Sequence, residues 1–365
     1  MSQALLSIDN LRTYFYSHSK HAFVRAVDGV SLEIGQRETV GIVGESGSGK
    51  SITAMSIMGL LSSGPGVISG SIRFSGSNGP QNLLEGLERY VNIEEQDGRV
   101  VAVQKDETGW HNTSERLMKD LRGKEIAMIF QNPRASLNPY ITVGEQITEA
   151  IRLHTNFKSA NEARDRALYW LEQVKIDSPG LRFNAYPSSM SGGMCQRAMI
   201  AMALSSEPAL LIADEPTTGL DATIQSKIVD LIEELKSETG VSTLLISHDI
   251  GMVSRLADRV AILYGGVVVE YGPAKWVLDK TANIKHPYTA ALLASIPSAQ
   301  RIRDRAPLQT IEGDVLDTIN VPSGCRFYER CNQILPEIRD KCATHQPELK
   351  VLAPGHQVRC WRYTS

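Results

Sequence analysis

A glycine-rich loop between a buried strand and a helix is the feature that most constrains how this chain can fold. Residues 38–43 read as a strand, and a helical pattern over 50–61 follows the loop Gly44–Ser51 directly. Glycines let the backbone wrap tightly, so that successive N–H groups face one point at the positive end of a helix. The loop matches a phosphate-binding pattern, and the residues expected to hold phosphate are Gly44, Ser46, Gly47, Ser48, Gly49, Lys50 and Ser51.

The chemistry expected of this loop depends on its last two residues and on an acidic pair far along the chain. Lys50 would reach the β- and γ-phosphates of a nucleotide, and the Ser51 hydroxyl would ligate Mg²⁺. The apolar strand 210–213 runs into Asp214, which would hold Mg²⁺ or its water, and Glu215, a candidate general base towards the attacking water. Taken alone, the loop could be an ordinary glycine-rich turn, and the acidic pair a strand end that meets solvent.

Strands alternate with helices along most of the chain. The apolar strands 210–213 and 242–246 are separated by a helical segment at 223–238, and a longer helical pattern covers 143–174. This order predicts an α/β fold with a largely parallel sheet. After residue 301 the composition shifts towards Pro, Cys and scattered charge, which places a domain boundary near that point.

The composition excludes several classes of protein. Hydrophobic residues make up 42% and charged residues 22% of the 365 residues, as in soluble globular proteins long enough for two domains. With 38 basic and 41 acidic residues the net charge is −3, which does not favour a nucleic-acid partner. The N-terminus lacks a signal-peptide pattern, and no apolar run is long enough to span a bilayer. If the chain works at a membrane, other chains must cross it.

Four further motifs occur in a fixed order around the acidic pair. They are Gln131, the segment Met190–Arg197, the segment Gly219–Asp221 and the histidine His248. Together with the loop and the acidic pair they resemble the ATP-binding subunits of ABC transporters. The resemblance covers about the first 300 residues. It implies a P-loop NTPase fold, the ABC nucleotide-binding domain, with a helical signature subdomain.

The resemblance also implies roles for these residues and a second copy of the site. Two ATPase subunits would face each other head to tail, with ATP between the loop of one and the signature of the other. Gln131 would sense the γ-phosphate, ligate Mg²⁺ and couple to the membrane subunits, while His248 would serve as the switch histidine beside the general base Glu215. Nucleotide contacts are implied for Phe15, Gln131, Ser191, Gly192, Gly193, Asp214 and Asp221.

Two positions depart from the usual pattern of the family. Met190 and Cys195 replace the common residues of the signature, but Ser191 and Gly193 remain, so a hydrolytic site is expected. At the adenine position Phe15 offers a π face for stacking. Its neighbours, the tyrosines at positions 14 and 16, remain alternatives.

Segments after Gln131 and near residue 290 resemble the branch of the family that imports dipeptides and oligopeptides. Nickel and glutathione importers share part of the pattern, and a soluble ABC ATPase is a further alternative. The branch implies two membrane permease subunits, a second, paralogous ATPase subunit and an extracytoplasmic substrate-binding protein. The chain would then lie at the cytoplasmic face of the inner membrane as a peripheral subunit.

Four of the five cysteines lie in the last forty or so residues. Four thiolates can close a tetrahedral Zn²⁺ site or hold an iron–sulfur cluster. Their spacing, C-x5-C-x10-C-x17-C, matches neither the close Cys-x-x-Cys pairs of zinc ribbons nor the usual ferredoxin run. The family resemblance favours a [4Fe–4S] cluster on Cys325, Cys331, Cys342 and Cys360, and unrelated cysteines are the alternative. Cys195 is expected to be a packing residue.

The expected domains follow from these motifs. Residues 1–300 form the ATPase domain, with the helical subdomain at about 130–205, and residues 301–365 form a C-terminal extension that carries the cysteines. An inserted segment at about 77–118 contains a plausible hairpin around Asp97 and Gly98. It would be a tolerated surface insertion or a contact for a partner.

Overall fold

The computed structural model describes residues 4–61, 63–96, 99–155, 157, 159–296, 303 and 310–363. Within them the strands are β1 (Leu6–Ser17), β2 (Ala22–Ile34), β3 (Thr39–Val43), β4 (Pro65–Gly76), β5 (Gly79–Asn82), β6 (Val91–Gln96), β7 (Arg99–Lys105), β8 (Ile126–Ile129), β9 (Leu210–Asp214), β10 (Ser242–Ile246), β11 (Arg259–Tyr264), β12 (Val267–Pro273), β13 (Lys350–Ala353) and β14 (His356–Val358). The helices are α1 (Lys50–Met58), α2 (Glu107–Met118), α3 (Pro133–Ser136), α4 (Val143–His154), α5 (Ala160–Gln173), α6 (Pro179–Phe183), α7 (Gly192–Leu204), α8 (Ala222–Thr239), α9 (Ile250–Leu256), α10 (Ala274–Val277), α11 (Pro287–Ser295) and α12 (Arg339–Thr344).

The main sheet has eight strands in the order β13-β14-β12-β11-β3-β10-β9-β8. Its centre is parallel, since β3 pairs with β10 and β11, and β9 pairs with β10 and β8. The strands β12, β13 and β14 are antiparallel at one edge. The largely parallel α/β sheet expected from the sequence is therefore confirmed. Because β3 and β9 share this sheet, their carboxyl ends bring the phosphate loop and the acidic pair to the same edge.

Two hydrophobic clusters cover the two faces of this sheet. Alternate residues of one strand enter opposite clusters, as Leu244 and Leu245 of β10 do. One cluster packs against α4, α5, α7 and α8. The other packs against α1 and a second, four-stranded antiparallel sheet of order β2-β1-β4-β5. Both faces of the central strands are buried, which explains why these strands are continuous apolar runs in the sequence.

Two of the helical patterns differ from the observed helices. The helix expected over 50–61 ends at Met58, because Gly59 adopts a left-handed φ of 62° and caps it. The pattern over 143–174 is two helices, each opened by a capping box, at Thr142 and Ser159. The helices α3 to α7 lie within the range 130–205 predicted for the helical subdomain.

The inserted segment is anchored at both ends. Strand β5 pairs with β4, and β6 with β7 form the expected antiparallel hairpin, whose turn at residues 97 and 98 lies outside the described residues. Leu83 and Met118, which flank the hairpin, are buried in the cluster beneath α1. Between them, the Lys105 Nζ lies 3.8 Å from the Trp110 ring centroid and donates to the backbone of β4. The hairpin is thus fastened to the core.

The C-terminal extension packs against the core. Strand β14 pairs with β12, with Glu270 opposite Val358, so the extension lengthens the main sheet. Phe327 packs into the core cluster beside Tyr264 and Tyr288. A separate C-terminal domain is not confirmed, and the expected boundary near residue 301 lies outside the described residues.

Candidate functional site

The phosphate loop connects β3 to α1 in a conformation that requires glycine. Gly49 has φ of 101°, and a Cβ there would lie 2.2 Å from the carbonyl oxygen of Ala26. The Lys50 Nζ donates to the carbonyl oxygens of Gly44 and Glu45, both at 2.9 Å, so its side chain closes over the loop. Burial lowers the pKa of Lys50, although nearby carboxylates oppose this effect. The Ser48 hydroxyl is buried and has no hydrogen-bond partner among the described residues, which suits a loop that binds phosphate oxygens.

The structure brings Ser51 and Asp214 together across this edge of the sheet. The Ser51 Oγ donates to Asp214 Oδ1 at 3.0 Å, although 163 residues separate them in the chain. Burial raises the pKa of Asp214, against the hydrogen bond from Ser51. A hydroxyl and a carboxylate beside a phosphate loop are the oxygen donors that Mg²⁺ prefers. This pair therefore fits the magnesium role expected from the sequence.

Glu215 has an unusual backbone conformation for a residue other than glycine. Its φ is 46°, in the left-handed region, and its N–H donates to the carbonyl oxygen of Ile246 at 2.8 Å. Such strain costs about 1–3 kcal/mol and clusters at functional sites, where surrounding contacts hold it. The turn directs the Glu215 side chain towards three other polar groups.

Those three groups come from separate segments and meet on one carboxylate. Gln131 Nε2 donates to Glu215 Oε2 at 2.9 Å, and the Thr218 hydroxyl donates to the same oxygen at 2.8 Å. His248 Nδ1 lies 3.2 Å from Oε1. Burial alone would raise the pKa of Glu215, but the hydrogen bonds from Thr218 and His248 more than offset it, so the pKa is lowered. The three predicted catalytic residues, Gln131, Glu215 and His248, are thus in direct contact.

The signature motif lies apart from the phosphate loop. Ser191 caps helix α7, with its side chain accepting from the N–H of Met194, and Asp221 caps α8 in the same way through Ile224. Gly192 lines an open pocket with residues 131–134 and 218–220, and no phosphate-loop residue lines it. A Cβ on Gly193 would lie 2.7 Å from Ile224 Cγ2, so this glycine lets α7 approach α8 closely. Within one chain the signature and the phosphate loop therefore belong to different surfaces.

The aromatic residues of β1 differ sharply in accessibility. Tyr14 is 1% exposed, and its hydroxyl donates to Asp28 at 2.5 Å, so it has no face free for a nucleotide. Tyr16 is exposed and packs edge-on against Phe23. Phe15 is half-buried between Val24 and Pro65 on the neighbouring strands. Of the two alternatives to Phe15, Tyr14 is therefore removed.

The four C-terminal cysteines line one small cavity, although they come from four separate segments. The walls are otherwise mainly aromatic and aliphatic, and the N–H of Cys325 donates to the carbonyl oxygen of Cys342 at 2.8 Å. Burial raises the pKa of Cys325 to about 12 and that of Cys360 to about 11. Within the described part of the chain, no three or more His, Cys, Asp and Glu side chains form a group that could hold a metal ion. Cys195 lies in the core, as expected.

Two polar partners of the site were missed by sequence reasoning. Thr218 stands three residues after Glu215, a spacing that allows a local side-chain contact, and this was the available signal. The second is an ion pair between Glu45 of the phosphate loop and Arg330 of the C-terminal extension, 2.8 Å between Oε2 and Nη1. With 285 residues between the partners, nothing local in the sequence marks it.

Comparison with known proteins identifies the family. The ABC transporter family model matches residues 27–218, which include every motif up to Glu215 and Thr218. The chain belongs to the ABC transporter family. A second model, the C-terminal region of oligopeptide and dipeptide transporters, matches residues 269–337. ABC ATP-binding proteins hydrolyse ATP, and ATP with Mg²⁺ is accordingly the expected substrate.

Curated relatives match this ABC protein over nearly its whole length. It is 44% identical to the oligopeptide transport ATP-binding protein AppD of Bacillus subtilis, over 98% of this chain and 97% of the relative. It is 40% identical to the dipeptide transport ATP-binding protein DppD of Escherichia coli, over 98% and 96%. The alternatives of a nickel or glutathione importer and of a soluble ABC ATPase are not favoured by these relatives.

Solved structures agree with the fold of the ABC core. A bacterial ABC transporter cassette solved as a dimer, MJ0796, superposes with a TM-score of 0.56 at 25% identity, covering 74% of this chain and 98% of the cassette. Among the described residues, no helix has both the length and the apolar character needed to cross a membrane.

Proposed function

We propose that this chain is the ATP-hydrolysing subunit of a membrane ABC importer, and that it couples ATP binding and hydrolysis to uptake of dipeptides or oligopeptides. The observation that carries the proposal is the contact of Gln131 and His248 with Glu215, beside Ser51 and Asp214. The peptide assignment is supported by relatives named for peptide transport across nearly the whole chain.

The geometry supports a separate role for each of these side chains. The loop N–H groups and Lys50 would hold the phosphates, while Ser51 and Asp214 would hold Mg²⁺, which would neutralise negative charge on the phosphates. Glu215, kept ionised by its lowered pKa, would accept a proton from the attacking water. Gln131 and His248 would orient that carboxylate and respond to the γ-phosphate.

A second ATPase subunit would complete the nucleotide site. The open pocket beside Gly192 is lined by Gln131 and by none of the phosphate loop, which supports a site that another subunit completes. Ser191 and Gly193, the neighbours of Gly192, would then face a nucleotide carried by that subunit. The solved cassette MJ0796 is itself a dimer by its title. The paralogous subunit expected from the sequence would play this part here.

The membrane subunits would dock in an apolar groove next to Gln131. The groove lies between the end of α1, strand β8 and helices α4 and α7, and its apolar lining includes Met58, Leu60, Phe130, Met199 and Met202. Phe130 is the direct neighbour of Gln131, so a permease segment in this groove would be coupled to the γ-phosphate sensor. We propose that the chain is a peripheral subunit at the cytoplasmic face of the inner membrane, with a substrate-binding protein on the other side.

Uptake in cells tests the peptide assignment. In cells that lack this chain we expect import of labelled dipeptides and oligopeptides to fall to background, and to return with the wild-type chain but not with Glu215→Gln. Nickel and glutathione uptake in the same cells provide the control for substrate class. Unchanged peptide uptake would contradict the proposal, and a selective loss of nickel or glutathione import would favour those substrates instead.

We also propose that Cys325, Cys331, Cys342 and Cys360 bind a [4Fe–4S] cluster, with Zn²⁺ as the alternative. The support is that all four cysteines, from separate segments of the chain, line one small cavity. Cysteine thiolates are the usual ligands of such clusters.

Metal analysis of the full chain, purified without oxygen, tests this assignment. We expect about four irons and as many sulfides per chain, with loss of both in Cys331→Ser and Cys342→Ser. The fifth cysteine offers a matched control, since Cys195→Ala should keep the iron. About one zinc per chain would support the alternative. The absence of both iron and zinc would overturn metal binding at these cysteines.

A further inference from the structure

Three side chains bind Glu45 of the phosphate loop, those of Tyr288, Lys50 and Arg330. The N–H of Glu45 donates to the Tyr288 hydroxyl at 3.0 Å, and its carbonyl oxygen accepts from Lys50 Nζ at 2.9 Å. Its carboxylate accepts two hydrogen bonds from Arg330, at 2.8 and 3.0 Å. Glu45 is therefore the point at which the C-terminal extension contacts the phosphate loop.

The guanidinium of Arg330 is itself built into the extension. Its side chain is 6% exposed, against 22% for Glu45. Arg330 Nε donates to the carbonyl oxygen of Glu312 at 3.0 Å, and Nη1 lies 3.3 Å from the Tyr264 hydroxyl. A bidentate guanidinium–carboxylate pair fixes relative orientation as well as distance. The pair of Arg330 and Glu45 therefore holds the C-terminal extension and the phosphate loop in a fixed relative orientation, which an exposed surface ion pair would not do.

The charge of Glu45 matters because of where it lies. Its backbone oxygen touches the ammonium of Lys50, the residue that would reach the β- and γ-phosphates. An unpaired carboxylate beside a bound polyphosphate would repel it, and the repulsion would be strong in a partly buried site with a low effective dielectric constant. The pair with Arg330 neutralises this carboxylate.

We propose that Arg330 is a positioning residue for the phosphate loop, which fixes and neutralises Glu45 so that the loop can bind ATP. The C-terminal extension would then be part of the nucleotide site. This inference rests on the ATP-binding role of the loop and is independent of the imported substrate.

Equilibrium binding of fluorescent mant-ATP with Mg²⁺ to the full chain tests the proposal. We expect Arg330→Gln to raise the Kd by about tenfold, the usual worth of a hydrogen-bonded charge pair. The double variant with Glu45→Gln should recover most of the loss, because it removes the unpaired carboxylate. In the assembled complex the KM for ATP should rise while kcat changes little. Arg255→Gln, which breaks a surface ion pair with Asp230 and Glu233, is the matched control and should bind like wild type.

The Kd values of the variants show whether Arg330 acts through Glu45. An unchanged Kd in Arg330→Gln would overturn the proposal, and so would a double variant as weak as the single one, because the loss would then not act through Glu45. If Arg330→Gln does not fold, Arg330→Lys replaces it: one ammonium cannot bond both oxygens in the same geometry, so a rise of about threefold is expected, and an unchanged Kd would count against the proposal. Failure of the wild-type chain to bind mant-ATP would instead contradict the proposed ATPase function.

Discussion

Replacing Glu215 by Gln should lower kcat for ATP hydrolysis by at least about a hundredfold, the usual contribution of a general base, while ATP binding stays nearly intact. The amide keeps the size of the side chain but cannot accept a proton from water. Glu215 accepts from Gln131 and Thr218 on one oxygen and contacts His248 with the other. The substitution therefore removes the proton acceptor and leaves the phosphate loop untouched.

Phosphate release by the assembled complex measures this effect, with mant-ATP binding as the second readout. Glu234→Gln is the matched control, because Glu234 is an exposed carboxylate that pairs with Lys175 on the surface. It should leave kcat unchanged. If Glu215→Gln hydrolyses ATP at the wild-type rate, Glu215 is not the base.

The pH profile gives an independent check on the same residue. A lowered pKa means that Glu215 loses its proton more easily in the folded chain, so the base form persists below the ordinary value of about 4.3. Protonation of Glu215 should therefore not limit kcat anywhere between pH 5 and 8. In the Thr218→Val variant, which removes the strongest of the hydrogen bonds that lower the pKa, the acid limb should move to higher pH.

The parts of the fold that sequence reasoning predicted are those with strong local patterns. Strand β10 is predicted with its observed bounds, because a short run of buried apolar residues is a local signal. The phosphate loop follows from its glycine spacing, its final Lys50 and Ser51, and its place between a strand and a helix. The catalytic roles of Gln131 and His248 came from family resemblance, since a single glutamine or histidine after a strand carries no signal of its own.

The parts that were not predicted depend on contacts between distant segments. Nothing in the β1 sequence indicates that Tyr14 faces the core and Phe15 does not, because the bulges in this strand shift the alternation of its faces. Strands β13 and β14 are too short to give a pattern. Arg330 and Glu45 are brought together only by the packing of the extension onto the core.

The same packing makes a second buried arginine the site of the largest expected loss of stability. Arg326 is 3% exposed on its side chain, and it donates to Asp28 on β2 and to the carbonyl oxygen of Gly265. Asp28 also accepts from Tyr14. Burial alone would raise the pKa of Asp28, but the charge of Arg326 and these hydrogen bonds lower it, so the carboxylate stays ionised inside the protein.

Arg326→Met should therefore destabilise the folded chain by about 3 kcal/mol, the low end for breaking a buried ion pair. The low end applies because Arg12 and Arg25 lie 3.7 and 3.9 Å from Asp28 and partly compensate its charge. Urea unfolding, followed by tryptophan fluorescence and circular dichroism with coincident transitions, measures the free energy of unfolding. Arg339→Met, at an exposed arginine of the same extension, is the control and should change the free energy of unfolding by less than about 0.5 kcal/mol.

The double variant Arg326→Met with Asp28→Asn distinguishes an unpaired charge from lost packing. Removing the carboxylate removes the penalty of a buried, unpaired anion, so the double variant should be more stable than Arg326→Met alone. If the two are equally unstable, the loss comes from the packing of the arginine and not from the charge of Asp28. If Arg326→Met unfolds like wild type, this ion pair does not stabilise the packing of the extension on β2, and the β14–β12 pairing and Phe327 hold the extension without it.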